Sequence, residues 1–278
     1  MYLESTALMN SAEKIALPLA GRRVLVTRAA HQAGKLSEGL RALGAEPVEV
    51  PVIEIRPPLD LAPLDRALRT LASYDWLILT SANTVQALVD RLSQLRIPIL
   101  SADPPRVAQV AAVGEATAAA ARQAGFAVAL VPESYVAESL TKSLAGQSRG
   151  KKVLLARAAV ARDVIPDALR AAGAIVDVVD AYRNVMPESA PALLAEALRN
   201  GIAAAAFTSS SSVTHLANAA RQAGIAFPFV GVAAISIGPI TSQTLRALGW
   251  EPAAEANPSD VPGLIQATAR ALADSLHR

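Results

Sequence analysis

The chain has 278 residues, of which 52% are hydrophobic, 18% are charged and 4% are aromatic. At about 100–200 residues per domain the length predicts two domains, and the apolar content excludes a disordered chain. The 26 Lys and Arg nearly balance the 24 Asp and Glu without forming a basic run, which argues against a nucleic-acid partner.

The predicted elements begin after an N-terminal extension, residues 1–20, which lacks the basic and apolar segments of a signal peptide. From there, short apolar runs alternate with segments of helical periodicity. In the first half, the apolar runs predict strands at 23–27, 46–50, 75–80, 107–113 and 127–131. Strands that alternate with helices of this length indicate parallel βαβ units, so we predict a doubly wound α/β domain.

The second half continues in the same way. Continuous apolar runs at 203–207 and 230–237 predict strands of a sheet that helices cover on both faces. The uncharged stretch 222–245 is interrupted by Pro228 and Pro239, so it predicts no membrane span. Helical runs are followed by glycines where a left-handed residue commonly ends a helix: Gly44, Gly125, Gly173 and Gly249. We expect a cytoplasmic protein without a membrane partner.

The sequence also contains an internal duplication, which is the mark of a fold built from repeated units. Segments of the first half match segments of the second in the same order and at nearly the same spacing: 24–30 with 153–159, 79–85 with 207–213, 113–117 with 237–241, and 132–134 with 257–259. We therefore predict two α/β domains that arose by tandem duplication. The extended segments 51–57 and 181–187 occupy equivalent places, and we predict that they pair as a two-stranded β ribbon joining the domains.

Polar turns follow two strands in each copy, at the point where a helix begins. Ligands gather at such turns in parallel sheets, because the carboxyl ends of strands meet helix N-termini there. The candidate binding residues are Thr80, Ser81, Asn83, Gly114, Thr117, Ser209, Ser210, Gly238 and Thr241. Each turn taken singly is more typical of helix N-capping. The duplicated turns together favour a cleft that binds an anion through hydroxyl and backbone N–H groups, and capping is compatible with that role.

Three further side chains are candidates for the site. Arg28 and Arg157 end matching strands, where a guanidinium binds a carboxylate or phosphate, or else pairs with a neighbouring acid. The sequence leaves these two interpretations open. Tyr182 stands where the first copy has Ile53, inside the predicted ribbon. It either donates a hydrogen bond into an interdomain cleft or packs its ring against the ribbon, and the sequence alone slightly favours packing.

Absent residue types and motifs exclude most other chemistry. The chain has no cysteine, and its three histidines, His31, His215 and His277, lack the spacing of a metal site. His215 is predicted to be an exposed or half-buried helix residue rather than a base. No glycine-rich dinucleotide motif follows the first strand, and no P-loop or serine nucleophile elbow occurs. We expect no metal and no cofactor.

From about residue 21 to the C-terminus, the sequence resembles the uroporphyrinogen-III synthase family. The resemblance is carried by 24–28, 79–83, 113–114 with Thr117, 153–157, Tyr182, 207–209, and 237–239 with Thr241. It implies two α/β domains that do not coincide with the repeats: 21–50 with 186–278, and 57–180, joined by a ribbon of 51–56 and 181–185. It also implies that the substrate binds in the cleft between the domains.

The implied substrate is hydroxymethylbilane, a linear tetrapyrrole with eight carboxylates, which the family cyclises to uroporphyrinogen III. The resemblance implies that Tyr182 assists the departure of the terminal hydroxyl. It further implies that neighbouring backbone amides and the side chains of five turn residues hold the acetate and propionate groups: Thr80, Ser81, Thr117, Ser209 and Thr241. Arg28 is a further candidate for binding these groups, from its place at the end of a strand. We expect a monomer. The alternative, which the residues leave open, is a cytoplasmic two-lobed protein that binds a small anion or has a regulatory role, without catalysis.

Overall fold

The computed structural model describes residues 17–99, 108–132 and 137–274. Residues 1–16 of the predicted N-terminal extension lie outside the described residues. Residue 107, the first of the strand predicted at 107–113, also lies outside them. The described chain forms two units. One contains the residues up to Ile53 and those from Met186 onward, and the other runs from Glu54 to Val185.

Strands and helices alternate along the chain. The strands are β1 (Arg23–Val26), β2 (Glu46–Glu49), β3 (Glu54–Arg56), β4 (Trp76–Leu79), β5 (Gln109–Ala112), β6 (Val128–Leu130), β7 (Lys152–Ala158), β8 (Ile175–Val185), β9 (Ala204–Phe207), β10 (Ala233–Ser236) and β11 (Pro252–Glu255). The helices are α1 (Ala30–Ala42), α2 (Ala62–Arg69), α3 (Ala82–Leu95), α4 (Glu115–Gln123), α5 (Ala137–Ala145), α6 (Val164–Ala171), α7 (Ala190–Arg199), α8 (Ser210–Gln222), α9 (Pro239–Ala247) and α10 (Val261–Asp274).

The first unit is built on a parallel sheet of strand order β11-β10-β9-β1-β2. Alternate residues of its central strands enter different apolar clusters, because successive side chains of a strand point to opposite faces. Ala204 and Ala206 belong to one cluster, whereas Ala205 and Phe207 belong to the other. The second cluster contains the aromatic side chains of Phe207, Phe227, Phe229 and Trp250, packed edge to face. Helices thus cover both faces of the sheet, as predicted.

The second unit has a sheet of order β3-β8-β7-β4-β5-β6, in which every neighbouring pair except β3 with β8 is parallel. Read from β6 to β8, this order repeats that of the first sheet from β11 to β2, which is the arrangement expected of a duplicated unit. The first two strands of each copy lie in the sheet that contains the last three strands of the other copy.

The antiparallel pair is the β ribbon expected from the two equivalent extended segments. Glu54 lies opposite Val185, and Arg56 lies opposite Arg183. The Arg183 side chain also donates from Nε to the Pro57 carbonyl at 2.9 Å. Strand β8 is long because its first part pairs with β7 and its last residues pair with β3.

Most predicted strands are found, each shorter by one or a few residues. The strand predicted at 230–237 needs a larger correction, because β10 begins only at Ala233 and Val230 is 100% exposed. The cause is a turn around Gly231, whose φ of 75° belongs to the left-handed region that glycine adopts readily. The four glycines predicted to end helices all have positive φ, which confirms that prediction.

An ion pair between α2 and α3 makes the stability of the second unit depend on pH. Nε and Nη2 of Arg91 each lie 2.6 Å from an oxygen of the Asp65 carboxylate. The hydrogen bonds from Arg91 hold the pKa of Asp65 below its usual range. The pair therefore stabilises the folded state above about pH 4, and this contribution is lost as the pH falls through the lowered pKa.

We expect Asp65→Asn to lower the free energy of unfolding by about 0.5–1 kcal/mol at neutral pH, since the pair is partly exposed. The difference in stability between the variant and the wild type should be smaller near pH 2 than at neutral pH, because protonation of Asp65 removes the charge that pairs with Arg91. Urea unfolding at the two pH values measures the difference. A difference of the same size at both pH values would contradict the assignment to the ion pair.

Candidate functional site

The four polar turns fall into two pairs, one in each unit. In the second unit, 80–83 follows β4 and 114–117 follows its neighbour β5. In the first unit, 208–211 follows β9 and 238–241 follows its neighbour β10. Within each unit the two turns therefore lie side by side at the carboxyl edge of the sheet, where free N–H groups begin the following helices.

The serine turns cap the helices that follow them. Ser81 accepts a hydrogen bond from the Thr84 backbone N–H at 3.1 Å, and Ser209 accepts one from the Ser212 N–H at 3.2 Å. Ser210 has a different role, since its hydroxyl donates to the Ile240 carbonyl at 3.3 Å and links the two turns of the first unit. The capping interpretation is therefore correct for Ser81 and Ser209, and each remains beside the edge where a ligand would bind.

The glycine turns place a buried threonine hydroxyl in each unit. Gly114 and Gly238 begin α4 and α9 in extended backbone conformations, and a Cβ on Gly238 would approach the Ser259 Oγ to 2.9 Å. Thr117 and Thr241 follow at equivalent positions and are only 6% and 4% exposed. Within the described part of the chain, neither threonine hydroxyl has a hydrogen-bond partner. The backbone thus positions two equivalent hydroxyl groups to which no described residue donates and from which none accepts a hydrogen bond.

The two matching arginines differ in their surroundings. Arg157 donates from Nη2 to Asp163 at 2.7 Å and from Nη1 to the Arg162 carbonyl at 3.0 Å, so it forms a structural ion pair. Arg28, at the end of β1, is half-buried and has no hydrogen-bond or ion-pair partner among the described residues. Burial lowers the pKa of Arg28, but a guanidinium remains charged at neutral pH. The first unit therefore has, beside its polar turns, a positive charge that none of its described residues pairs with.

Tyr182 has a buried ring and a hydroxyl group that contacts a polar turn of the same unit. Its side chain is 6% exposed, and its ring packs in the apolar cluster that contains Leu79 and Ala181. Its hydroxyl lies 3.1 Å from the Ser81 Oγ, at the N-terminus of α3. Asn83, in the first turn of α3, is half-buried nearby. The tyrosine oxygen is therefore fixed at the carboxyl edge of the second sheet.

The sequence analysis did not identify Thr84, whose hydroxyl contacts those of both Ser81 and Thr80. Thr84 is 0% exposed, and its Oγ1 lies 3.0 Å from the Ser81 Oγ and 3.2 Å from the Thr80 Oγ1. The only sequence indication was a third hydroxyl residue shortly after Thr80 and Ser81, which helical periodicity assigns to the buried face. His215 is half-buried as predicted, and its Nδ1 lies 2.9 Å from the Val52 carbonyl.

A family model described as uroporphyrinogen-III synthase HemD matches residues 34–266 of the chain. A curated uroporphyrinogen-III synthase of Synechococcus elongatus is 36% identical over 255 residues, which cover 90% of this chain and 95% of that relative. The chain belongs to the uroporphyrinogen-III synthase family. The predicted resemblance, the assignment to tetrapyrrole biosynthesis and the class of cyclising lyase are thereby confirmed.

Solved structures of the uroporphyrinogen-III synthase family share the fold. A mutant uroporphyrinogen III synthase of Thermus thermophilus is 22% identical, with a TM-score of 0.62 over 91% of this chain and 99% of that one. The enzyme of Helicobacter pylori is 18% identical, with a TM-score of 0.59 over 90% of this chain and 99% of that one. The predicted fold class, two α/β domains with parallel sheets, is confirmed.

Between residues 17 and 274, leaving aside the two internal gaps, no three His, Asp or Glu side chains come together as a metal site. No helix within the same ranges is long and apolar enough to span a membrane.

Proposed function

We propose that this member of the uroporphyrinogen-III synthase family converts hydroxymethylbilane to uroporphyrinogen III, with loss of water and inversion of ring D. Family membership over most of the chain supports the reaction. The site is supported by the pairing of polar turns in each unit, together with the charge of Arg28, which has no partner among the described residues. A substrate with eight carboxylates requires many anion-binding groups, and these are the groups that the turns provide.

The reaction depends more on the conformation in which the protein holds the substrate than on acid–base catalysis. Loss of the terminal hydroxyl produces an electrophilic azafulvene, and ring D attacks it through its substituted carbon. The resulting spiro intermediate reopens and recloses with ring D inverted. Because the substrate also cyclises without help to the wrong isomer, the protein's task is to hold the productive carbon near the electrophile.

In each unit, different groups of the turns bind the substrate carboxylates. The backbone N–H groups after Gly114 and Gly238 begin helices and attract anions. The hydroxyls of Thr117 and Thr241 donate to carboxylate oxygens, since they have no partner within the described residues. Arg28 contributes a charge-assisted hydrogen bond. Thr80, Asn83, Ser209 and Ser210 complete the polar edges of the two units.

Tyr182 donates a hydrogen bond or proton to the departing hydroxyl of the substrate. Support comes from its fixed position, with the ring buried and the hydroxyl held 3.1 Å from the Ser81 Oγ. Departure as water is easier than departure as hydroxide, so a positioned donor accelerates formation of the azafulvene.

Isomer analysis of the product tests the proposed function. The purified protein is incubated with freshly generated hydroxymethylbilane, the products are oxidised, and isomers I and III are separated by chromatography. We expect isomer III as the main product, formed faster than isomer I appears without protein. Production of isomer I alone, at the uncatalysed rate, would favour the alternative of an anion-binding or regulatory protein.

We also propose that the protein acts as a monomer in the cytoplasm, without nucleic-acid or membrane partners. The near balance of charges supports the absence of a nucleic-acid partner. Both faces of each sheet are covered by helices of the same unit, which supports a monomer. Sedimentation velocity at several protein concentrations tests the oligomeric state, and a dimer at micromolar concentration would contradict it.

Thr241→Val tests whether a turn hydroxyl binds substrate. We expect KM to rise about 3–10-fold, the value of one hydrogen bond, with kcat less affected. Thermal stability should not fall, because the Thr241 hydroxyl has no protein partner among the described residues. Thr268→Val is the matched control, since this buried hydroxyl donates to the Leu264 carbonyl at 2.8 Å. The control should lower stability and leave KM unchanged, and a loss of stability alone in Thr241→Val would favour a structural role.

A further inference from the structure

Four hydroxyl groups form a continuous chain in the second unit. The Tyr182 hydroxyl lies 3.1 Å from the Ser81 Oγ, which lies 3.0 Å from the Thr84 Oγ1. Thr84 in turn lies 3.2 Å from the Thr80 Oγ1, and Thr80 donates to the Ala156 carbonyl at 3.5 Å. The chain thus begins at the proposed proton donor and ends at a backbone carbonyl.

The Ala156 carbonyl determines which hydroxyl group donates in each hydrogen bond of the chain. A carbonyl oxygen only accepts, and each hydroxyl has a single proton to donate. If Thr80 donates to Ala156, then Thr84 must donate to Thr80, and Ser81 must donate to Thr84. Tyr182 is then left to donate to Ser81. In this first orientation the tyrosine proton points into the protein and is not available to a substrate.

A second orientation exists in which every donor reverses. Thr80 donates to Thr84, Thr84 donates to Ser81, and Ser81 donates to the Tyr182 oxygen. The Ser81 oxygen still accepts from the Thr84 backbone N–H, so the helix cap is retained. The reversal gives up only the bond to Ala156, which at 3.5 Å is the longest of the chain and lies at the limit of hydrogen bonding. The reversal therefore keeps all three hydrogen bonds between the hydroxyl groups.

The duplicated unit lacks this arrangement. Ser212 takes the place of Thr84, and its Oγ donates to the Ser209 carbonyl at 2.7 Å instead of joining a chain. Ile53 takes the place of Tyr182. The connecting hydroxyl of Thr84 and the tyrosine thus lie in the same unit, although they come from different copies of the duplicated sequence.

We propose that Thr84 is a positioning residue that allows Tyr182 to give its proton to the substrate. This inference rests on the proposed function. The C–O bond of the substrate hydroxymethyl group breaks with its electron pair on oxygen, which takes the Tyr182 proton and leaves as water. As negative charge develops on the tyrosine oxygen, Ser81 donates to it, and Thr84 donates to Ser81. The proton that the pyrrole loses when ring closure restores aromaticity returns to the tyrosine oxygen.

The test is Thr84→Val, which keeps the shape of this fully buried side chain and removes its hydroxyl. We expect kcat to fall about 5–10-fold with KM changed by less than about 2-fold, because the hydroxyl acts on the departing group and not on substrate binding. Thr84→Ser restores the hydroxyl and should recover kcat to within about 2-fold of the wild type. Thr268→Val controls for the loss of a buried threonine hydroxyl elsewhere, and its kcat should not change.

The decisive measurement repeats Thr84→Val in a Tyr182→Phe background. Since Thr84 acts through the Tyr182 oxygen, its replacement should then change kcat by less than about 2-fold. An equal loss in both backgrounds, or wild-type kcat in the folded single variant, would overturn the proposal. If Thr84→Val does not fold, Thr84→Cys has a similar volume and only a weak hydrogen-bond donor. It should also lower kcat in the wild-type background and change it little in the Tyr182→Phe background. Failure of the wild type to form isomer III would instead reject the proposed function.

Discussion

Tyr182→Phe should lower kcat by about 10–100-fold, the usual contribution of a positioned proton donor. The phenylalanine ring fills the same apolar cluster, so the fold and the binding of substrate carboxylates should persist. What is lost is the donor to the departing hydroxyl. Single-turnover kinetics with separation of isomers I and III measure the rate and its product specificity together.

Tyr74→Phe is the matched control for this variant. Tyr74 is as deeply buried as Tyr182, and its hydroxyl donates to Asp177 at 2.7 Å, near the amino end of β4. Burial, with the hydrogen bond to Asp177, raises the pKa of Tyr74, which keeps this hydroxyl protonated. The control should lower stability without changing kcat. A wild-type rate for Tyr182→Phe would assign Tyr182 to packing alone.

Arg28→Met should raise KM by about 10–100-fold, because a hydrogen bond between a guanidinium and a carboxylate contributes about 1.5–3 kcal/mol. The thermal midpoint should stay the same or rise, since the free protein gives up a half-buried charge that no described residue pairs with. A rise in KM without a fall in the thermal midpoint indicates a side chain that pairs with the substrate and stabilises nothing in the free protein. Steady-state kinetics and thermal unfolding measure the two effects.

Arg157→Met provides the opposite pattern from the matching position of the other copy. Arg157 already pairs with Asp163, so its replacement should lower stability and leave KM within about 2-fold of the wild type. The effect of Arg28 on KM should also weaken at high salt, because screening reduces the attraction of the substrate carboxylates. An unchanged KM in Arg28→Met would exclude this side chain from the binding site.

The contrast between the two arginines shows how a duplicated site can diverge. Both copies retain an arginine at the end of the same strand. In the part of the chain that the structure describes, Arg157 pairs with Asp163, whereas Arg28 has no acidic partner. Tyr182 and Ile53 show the same divergence at the equivalent position one strand further on. The fold thus keeps equivalent positions in the two units, and single substitutions change which residue occupies each position and what it contacts.

Much of the fold could be predicted because the relevant information is local. The period of the apolar residues identified strands and helices, and the repeated segments identified two equivalent sheets. Glycines after helices predicted left-handed residues for the steric reason that L-residues avoid that region. The prediction was wrong at Val230, where an apolar residue lies in a turn. Hydropathy alone does not reveal that a turn at Gly231 precedes the strand and excludes Val230 from it.

The sequence alone determined the alternation of elements, the duplication and the polar turns, because each depends on residues close together in the chain. Only the tertiary structure decided which of those residues have partners. It paired Arg157 and left Arg28 without a partner in the described chain, and it brought Tyr182 to Ser81, about one hundred residues away. It also revealed that Thr84 contacts Ser81 on the side away from the tyrosine. Hydrogen bonds depend on distances of a few tenths of an ångström, and such distances arise from packing that residue order does not specify.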